Sequence, residues 1–339
     1  MDADIERPYI LAIESSCDDT GAAIIRGNEL LSHLVSNQII HKNYGGVVPE
    51  LASRQHESHI VPVVHAALEQ ANVKMSQLGA IAFTQGPGLL GSLLVGCSFA
   101  KTMAWSLDIP LIAVNHMEAH IMAHFIDDPK PTFPFLCLTV SGGHTELIIV
   151  HSPYDMTPIG RTRDDAAGEA FDKIGKYLGL DYPAGPIIDR LAKKGTPKFS
   201  FPKSKLGGYE FSFSGLKTAV LYFLRDEVKK NPDFIAQNLA DICCSIQTVI
   251  VDVLTKKVLA AAKEYDIKEI AIAGGVSANS GLRNKLEQLA NLHEWNIHIP
   301  PLAYCTDNAA MIAIAGYYKY LKGDYASLDI TPDPRMKIA

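Results

Sequence analysis

A strand–turn–strand pattern occurs twice in this chain, and this repeat constrains the fold more than any other feature. Residues 9–14 read as an apolar strand, residues 15–20 as a polar turn and residues 21–25 as the returning strand. The same order recurs over residues 135–150. Because a repeated supersecondary unit indicates duplication, we predict two related lobes that each open with a β-hairpin.

Each half also contains a later strand that runs into a glycine-containing loop and a helix. Residues 80–83 precede the loop 86–88, and residues 270–273 precede the glycine pair 274–275. Glycine permits close backbone approach, and a helix N-terminus offers free N–H groups to an anion. One such loop by itself is more often a tight turn into a packed helix. Four polar or glycine loops in duplicated order favour phosphate binding between the lobes.

The composition excludes several other classes of protein. At 339 residues the chain is long enough for two domains whose cores need no disulfide or metal cross-links. The net charge of −6 predicts no general nucleic-acid surface, so any basic surface is local. Six cysteines without a paired spacing, and an acidic start without a signal peptide, predict a cytoplasmic protein. The uncharged stretch 75–100 is broken by a Gly-Pro-Gly loop, so we predict no membrane segment.

Two histidines and a distant carboxylate form a candidate metal site. His116 and His120 are four residues apart, on one face of a predicted helix, and Asp307 can complete a divalent-metal site with open positions. An isolated pair with this spacing more often packs or caps a helix. His124 continues the spacing, and we interpret it as an ordinary helix histidine. The ligand types do not separate iron from zinc or manganese.

Seven segments in order, from about residue 10 to residue 308, resemble the bacterial tRNA threonylcarbamoyladenosine transferases of the TsaD family. They are residues 13–20 (IESSCDDT), 48–54 (VPELASR), 86–93 (GPGLLGSL), 115–118 (NHME), 140–145 (VSGGHT), 168–173 (GEAFDK) and 211–217 (FSFSGLK). Ala119 and Ala184 stand where the family is expected to have glycine. Alanine is acceptable at both positions if the backbone φ is negative.

The resemblance implies an α/β fold of two ribonuclease-H-like lobes, of the actin, sugar-kinase and Hsp70 (ASKHA) type, with an interlobe nucleotide and metal site. We expect an N-terminal lobe over residues 1–130 and a C-terminal lobe over residues 131–306 with a helical insertion at about 164–265. A helix at about 307–322 is expected to pack back toward the first lobe.

The resemblance also implies an activity. The family moves a threonylcarbamoyl group from threonylcarbamoyl-adenylate to N6 of the tRNA adenosine next to the anticodon and releases AMP. TsaB-like and TsaE-like proteins are the expected partners. The family's metal ligands fall on His116, His120 and Asp307, which are expected to hold one divalent ion per subunit, usually iron.

The family's substrate contacts fall on nine residues. They are Thr139, Val140, Ser141, Gly142, Gly143, Asp172, Gly185, Asp189 and Asn279. Backbone N–H groups in the turn suit a phosphate, and the two carboxylates suit ribose hydroxyls. Asp172 could equally pair with Lys173 or Lys176, and Asn279 could equally cap a helix.

Acyl transfer from a mixed anhydride needs no covalent nucleophile, but it needs a proton acceptor. Glu14 and Asp19 in the first hairpin turn are the candidates, with Asp18 beside them, although turns favour aspartate for local hydrogen bonding anyway. For tRNA, the candidate surface is the basic stretch 190–205, with Phe199 and Phe201 available for base stacking. Its basic residues are Arg190, Lys193, Lys194, Lys198, Lys203 and Lys205.

Three other functions fit parts of the sequence. A zinc peptidase with a His-Glu-x-x-His motif places its general base directly after the first histidine, whereas Met117 follows His116 here. A sugar kinase or chaperone ATPase relies on Mg²⁺ and carboxylates without a histidine pair. A scaffold could use the apolar-periodic segments 52–71 and 235–262 against a partner, although both are also suited to a core. The intact metal and phosphate residues favour an enzyme.

Overall fold

The computed structural model describes residues 7–204 and 206–338. The chain divides into two compact units: unit 1 comprises residues 1–130 with 301–339, and unit 2 comprises residues 131–300. Residues 301–306, which the sequence prediction placed in the second lobe, therefore belong to unit 1. The short 3-10 turn Leu302–Tyr304 explains this, because the ring of Tyr304 lies 6.2 Å from that of His33 in the sheet of unit 1.

The elements follow the duplicated order. The strands are β1 (Tyr9–Glu14), β2 (Thr20–Arg26), β3 (Glu29–Ser36), β4 (Leu78–Gly86), β5 (Leu111–Asn115), β6 (Phe135–Val140), β7 (Thr145–Ser152), β8 (Asp155–Arg161), β9 (Glu269–Ala273) and β10 (Asn296–His298). The α-helices are α1 (Pro49–Ala71), α2 (Leu90–Leu107), α3 (His116–Met122), α4 (Ala167–Tyr177), α5 (Ala184–Ala192), α6 (Ser214–Lys230), α7 (Phe234–Glu264), α8 (Ser280–His293) and α9 (Ala309–Lys322).

The sheet of unit 1 has the strand order β3-β2-β1-β4-β5. β1 and β2 pair antiparallel from Tyr9–Arg26 to Glu14–Gly21, which confirms the first predicted hairpin. β1, β4 and β5 run parallel. Because the carboxyl ends of parallel strands meet at one edge of a sheet, Glu14, the 86–88 loop and Asn115 lie along the same edge.

The sheet of unit 2 repeats this topology with the order β8-β7-β6-β9-β10. β6 and β7 pair antiparallel, which confirms the second predicted hairpin, and β6, β9 and β10 run parallel. Each strand of unit 1 thus has a counterpart in unit 2, as a duplication requires. Val140 and the glycine pair 274–275 lie at the carboxyl ends of β6 and β9, at the same edge of this sheet.

In unit 1 the sheet is covered on both faces. Alternate strand residues point to opposite faces, so Ile81 and Phe83 join the buried cluster under α1 and α2, whereas Ala82 faces α9. A Cβ added to Gly316 would lie 2.6 Å from the Cβ of Ala82. The small residues on this face therefore allow α9 to lie close to the sheet.

Along the sequence, helices α4–α7 lie between β8 and β9 of unit 2. The 31-residue helix α7 contributes Ile246, Ile250 and Leu254 to the core of this unit. Among the described residues, α7 is the one helix long and apolar enough to cross a membrane, and 44% of its apolar window is buried. A core helix passes the same test of length and composition. The uncharged stretch 75–100 forms β4, a loop and α2, as predicted.

Both unusual alanines occupy buried positions with negative φ. Ala119 lies within α3 and Ala184 begins α5, and neither has a backbone that favours glycine. Ala184 packs against Gly175 of α4: a Cβ added to Gly175 would lie 2.1 Å from the Cβ of Ala184. One methyl group fits between α4 and α5, and in this chain Ala184 carries it.

Gly175→Ala should therefore destabilise the protein, while Gly175→Ala with Ala184→Gly should restore most of the loss. Alanine is the better residue in a helix interior by about 1 kcal/mol, but an extra methyl in a packed contact costs about 1–3 kcal/mol. Urea unfolding of the single and double variants measures both effects. A single variant as stable as the parent would show that the two helices separate without cost.

Candidate active site

The three predicted metal ligands converge in unit 1. His116 begins α3, His120 follows one turn later, and Asp307 lies two residues before α9. Asp307 Oδ1 is 3.3 Å from His116 Nε2 and 3.2 Å from His120 Nε2. Ligands held about 2.1 Å from one tetrahedral ion lie about 3.4 Å apart. The donor set and its spacing therefore fit a single divalent ion, with Asp307 on the more exposed side.

Asn115 determines where the metal-bearing helix begins. Its side-chain Oδ1 accepts hydrogen bonds from the backbone N–H groups of Met117, at 2.8 Å, and Glu118, at 3.3 Å. This N-cap starts α3 directly after β5, so the two histidines come to the same face of one short helix. His124 lies in a 3-10 turn directly after the α-helix ends at Met122, so it is a helix histidine, as interpreted, although it is not part of α3.

A buried carboxylate and a hydroxyl lie behind His116. Glu14 Oε2 is 3.1 Å from His116 Nδ1, and Ser16 Oγ is 3.2 Å from the same nitrogen. Glu14 is itself held by Thr84 Oγ1, which donates to Oε2 at 2.6 Å, and by the Ser16 N–H, which donates to Oε1 at 2.5 Å. A carboxylate on the far nitrogen of a ligating histidine orients the ring. Sequence reasoning missed the roles of Ser16 and Thr84.

The charges in this cluster depend on one another. Burial would raise the pKa of Glu14, but the neighbouring His116 lowers it below its ordinary value. Burial likewise opposes ionisation of Asp307, and both histidines hold its pKa well below the usual range. Burial would lower the pKa of His116, but Glu14 and Asp307 raise it well above its ordinary value. Burial keeps the pKa of His120 low, in spite of its hydrogen bond to Asp307. The two ionised carboxylates and the neutral imidazole of His120 suit a cation, and His116, which is protonated without an ion, must release its proton when the ion binds.

Asp19 has a different environment. It accepts a hydrogen bond from Asn37 Nδ2 at 2.7 Å. Burial raises the pKa of Asp19 to about 7, because the bond from Asn37 only partly offsets it and the nearby carboxylates add to it. The turn is held by His56, whose ring nitrogens lie 3.0 Å from Cys17 O and 2.8 Å from Thr20 Oγ1. Of the two candidate proton acceptors, Glu14 and Asp19, Asp19 therefore has the pKa suited to proton transfer near neutral pH.

In unit 2 the turn after β6 lies against the start of α4. Thr139 and Val140 are buried at the end of β6, and Ser141 O accepts a hydrogen bond from Gly168 N at 3.2 Å. Gly142 and Gly143 are exposed, and an added Cβ at either would meet nothing within 4 Å. This places backbone N–H groups of an open turn beside a helix N-terminus, an arrangement suited to an anion.

Asp172 caps the next helix. Its Oδ1 accepts hydrogen bonds from the backbone N–H groups of Ala184, at 2.8 Å, and Gly185, at 3.3 Å. Lys173 instead pairs with Asp165 and Glu169, so the expected alternative of an Asp172–Lys173 pair is not formed. Burial raises the pKa of Asp172 in spite of the two backbone donors.

Asp189 and Asn279 connect α5 to α8. Asp189 Oδ1 accepts from Ser280 N at 3.1 Å and from Ser280 Oγ at 2.7 Å. Asn279 Oδ1 caps α8 by accepting from Leu282 N at 2.9 Å, and its Nδ2 donates to Gln247 Oε1 at 2.9 Å. The expected capping role of Asn279 is confirmed, and its contact with adenine stays a prediction. Hydrogen bonds thus join the turn after β6 to α4, α4 to α5 and α5 to α8.

The basic stretch 190–205 is partly neutralised. Lys193, Lys198 and Lys203 pair with Asp189, Asp241 and Asp252 at 3.5, 2.5 and 2.6 Å. Lys205 lies outside the described residues. The prediction that both phenylalanines could stack a base is wrong for Phe201, which is 7% exposed. Phe199 and Phe201 instead pack against Phe223, with ring centroids 5.2 and 5.4 Å away.

Together these features define a two-lobed α/β protein with a candidate metal centre in unit 1 and a candidate anion-binding edge in unit 2. Similar solved structures confirm the fold class. HypF from T. kodakarensis has a TM-score of 0.64 and 15% identity, covering 96% of this chain and 49% of HypF. Full-length HypF in a phosphate- and nucleotide-bound form has a TM-score of 0.61 and 13% identity. The match covers 94% of this chain and 47% of that HypF chain. This chain thus corresponds to about half of HypF.

Sequence comparisons are more specific. A family model described as TsaD, tRNA N6-adenosine threonylcarbamoyltransferase, matches residues 29–314. Proteins with that name from Cytophaga hutchinsonii and Porphyromonas gingivalis are 56% and 55% identical to this chain. They cover 97% of it in both cases, over 96% and 98% of their own lengths. One from Phocaeicola vulgatus is 57% identical over 94% of this chain and 96% of its own length. The chain belongs to the TsaD family, which confirms the resemblance.

The triad should bind one divalent ion per chain. Excess Co²⁺ should stabilise the parent against urea by about 2.7 kcal/mol at a hundred times the dissociation constant, and His120→Gln should abolish this gain. His124→Gln is the matched control, because it removes the histidine four residues further on and leaves the triad intact. Equal stabilisation of the parent and His120→Gln would place the ion elsewhere.

Proposed function

We propose that this chain transfers the threonylcarbamoyl group of threonylcarbamoyl-adenylate to N6 of the tRNA adenosine next to the anticodon and releases AMP. The observation that carries the proposal is the identity of 55–57%, over nearly the whole length, to proteins named tRNA N6-adenosine threonylcarbamoyltransferase. The geometry of the two candidate sites supports a role for each residue in this acyl transfer.

His116, His120 and Asp307 hold one divalent ion, which we propose is iron, although the same donors also suit zinc or manganese. When bound, such an ion supplies a Lewis acid for the oxygens of the reacting anhydride. Glu14 and Ser16 orient His116 from its far nitrogen. We therefore favour a positioning role for Glu14, because its carboxylate already binds His116, Thr84 and the Ser16 backbone.

The anion-binding edge of unit 2 binds the adenylate. The open turn of Ser141, Gly142 and Gly143 at the start of α4 accepts its phosphate, next to the backbone of Thr139 and Val140. Asp172 and Asp189 accept hydrogen bonds from the ribose, and Gly185 and Asn279 complete the nucleoside contacts. Because both carboxylates also cap helices through Oδ1, their Oδ2 atoms are the acceptors for the ribose, and in Asp189 this oxygen also lies 3.5 Å from Lys193 Nζ.

The reaction needs one proton acceptor. N6 of adenosine attacks the carbamoyl carbon, a C–N bond forms, the C–O bond to the adenylate phosphate breaks, and AMP leaves as the anion. The proton that N6 loses passes to Asp19, whose pKa of about 7 lets it accept a proton near neutral pH. Bound threonylcarbamoyl-adenylate already contains the activated carbonyl, so no covalent enzyme intermediate is required.

The proposal includes the partners and the compartment. TsaB-like and TsaE-like proteins assist the family's reaction, and we propose that their counterparts assist this chain in the cytoplasm. The six described cysteines are all free thiols, which agrees with a reducing compartment.

Transfer of labelled threonine to tRNA tests the proposed activity. In a mixture with the adenylate-forming enzyme and partner proteins, His120→Gln should label tRNA at least about 100-fold more slowly than the parent, a loss of about 2.7 kcal/mol in transition-state stabilisation. His124→Gln should retain the parental rate. An inactive parent, in a mixture with confirmed adenylate and active partners, would point to a scaffold or an ATPase instead.

The pH dependence of transfer tests Asp19. Its carboxylate accepts a proton only when ionised, so the parental rate should rise with pH and level off above about 7. Below that pH the rate should fall about tenfold per unit. Asp19→Asn should lower the plateau and remove this limb of the profile, while Asp18→Asn should keep the limb but move it to lower pH, because the charge of Asp18 raises the pKa of Asp19. An unchanged profile in Asp19→Asn would assign the proton to another group.

A further inference from the structure

We propose that residues 324–338 form a strap that sets the position of the metal-bearing helix α3, with the side-chain amide of Asn115 as the joint between them. The inference rests on the proposed metal centre but not on the transfer reaction. A test that measures metal binding alone therefore separates its failure from failure of the proposed function.

The strap follows the edge of unit 1 from one end of β5 to the other. Ala326 N donates to Leu111 O at 2.7 Å, where β5 begins. Lys101 Nζ of α2 then donates to Ile330 O at 2.7 Å, and Gln85 Nε2 donates to Thr331 O at 3.1 Å. Residues 333–336 form a tight turn, in which Met336 N donates to Asp333 O at 3.2 Å. Most of these contacts use the backbone of the strap, so its path matters more than its side chains.

The strap next contacts the Gly-Pro-Gly loop. Asp333 N donates to Gln85 O at 2.9 Å, and Gly88 N donates to Pro334 O at 3.3 Å. Gly86 has no room for a side chain, because an added Cβ would lie 1.8 Å from Asp333 O. The other side of the loop meets the first hairpin turn, where Leu89 N donates to Ser16 O at 2.7 Å. Ser16 in turn contacts His116, so the loop connects the strap to a metal ligand.

Asn115 provides the second and more direct connection. Its Nδ2 donates to Lys337 O at 2.8 Å, while its Oδ1 caps α3 through Met117 N and Glu118 N. The amide is almost fully buried and uses its donor for the strap and its acceptor for the helix. Because the next residue is His116, a shift of this amide moves the first ligand with it. The strap thus reaches His116 from both sides, through Ser16 and through Asn115.

Two variants break the joint in different ways. A chain that ends at Met336 loses the Lys337 carbonyl but keeps the Gly88–Pro334 bond and the turn bond from Met336 N to Asp333 O. Asn115→Ser keeps a good N-cap acceptor but is too short to reach the strap. Lys337→Ala is the matched control, because it removes the side chain and leaves the carbonyl in place.

Co²⁺ alone is the probe, titrated by its visible absorption. We expect the shortened chain and Asn115→Ser to bind Co²⁺ about 10–100-fold more weakly than the parent, the range for loss of an outer partner of a metal ligand. Lys337→Ala should match the parent. The combined variant should be no weaker than the weaker single variant, because both changes remove one interaction. Amide hydrogen exchange in α3 should also become faster in both variants, whereas α8 in unit 2 should be unaffected.

Parental Co²⁺ affinity in the shortened chain, or losses that multiply in the combined variant, would overturn the inference. Circular dichroism and urea unfolding without metal establish that each variant is folded. If the shortened chain does not fold, the full-length Asn115→Ser protein decides the question, because its cap is intact and only the bond to the strap is lost.

Discussion

The contact of His116 with Glu14 and Asp307 is the interaction on which the candidate active site depends. Glu14 and His116 are buried, and burying either charge without a partner costs several kcal/mol, whereas the side chain of Asp307 is 27% exposed. The two carboxylates lie on opposite nitrogens of the His116 ring, at 3.1 and 3.3 Å, so each compensates the burial of the others. Removing one partner leaves an unpaired buried charge. The positions of β1, α3 and the segment before α9 are consequently coupled through one imidazole ring.

The duplicated topology explains why polar groups collect where they do. Both sheets have three parallel strands whose carboxyl ends share one edge, and ligands of open α/β sheets bind at such edges. In unit 1 this edge carries Glu14 and His116, while in unit 2 it carries the open turn after Val140. The two copies have therefore kept the scaffold and diverged in the residues at the ends of the strands.

The sequence predicts the parts of this structure that depend on local pattern. Apolar strands around polar turns predicted both hairpins, and the four-residue spacing of His116 and His120 predicted their common face. Ser16 and Thr84 were missed because a hydroxyl in a turn or an apolar strand carries no signal of its distant partner. The contact between Asn115 and Lys337 spans 222 residues and uses a carbonyl that every residue type has. Phe201 was misjudged because a basic stretch resembles a surface loop until its tertiary packing is known.

The division of the chain between the units has a consequence for the order of folding. Unit 2 is one continuous segment, whereas unit 1 lacks a helical layer and its carboxylate ligand until residues 301–339 are added. During synthesis, the first 130 residues must wait for the whole of unit 2 before α9 can cover their sheet. The face of β1 and β2 that packs against α9 therefore stays uncovered on the ribosome until α9 has been synthesised.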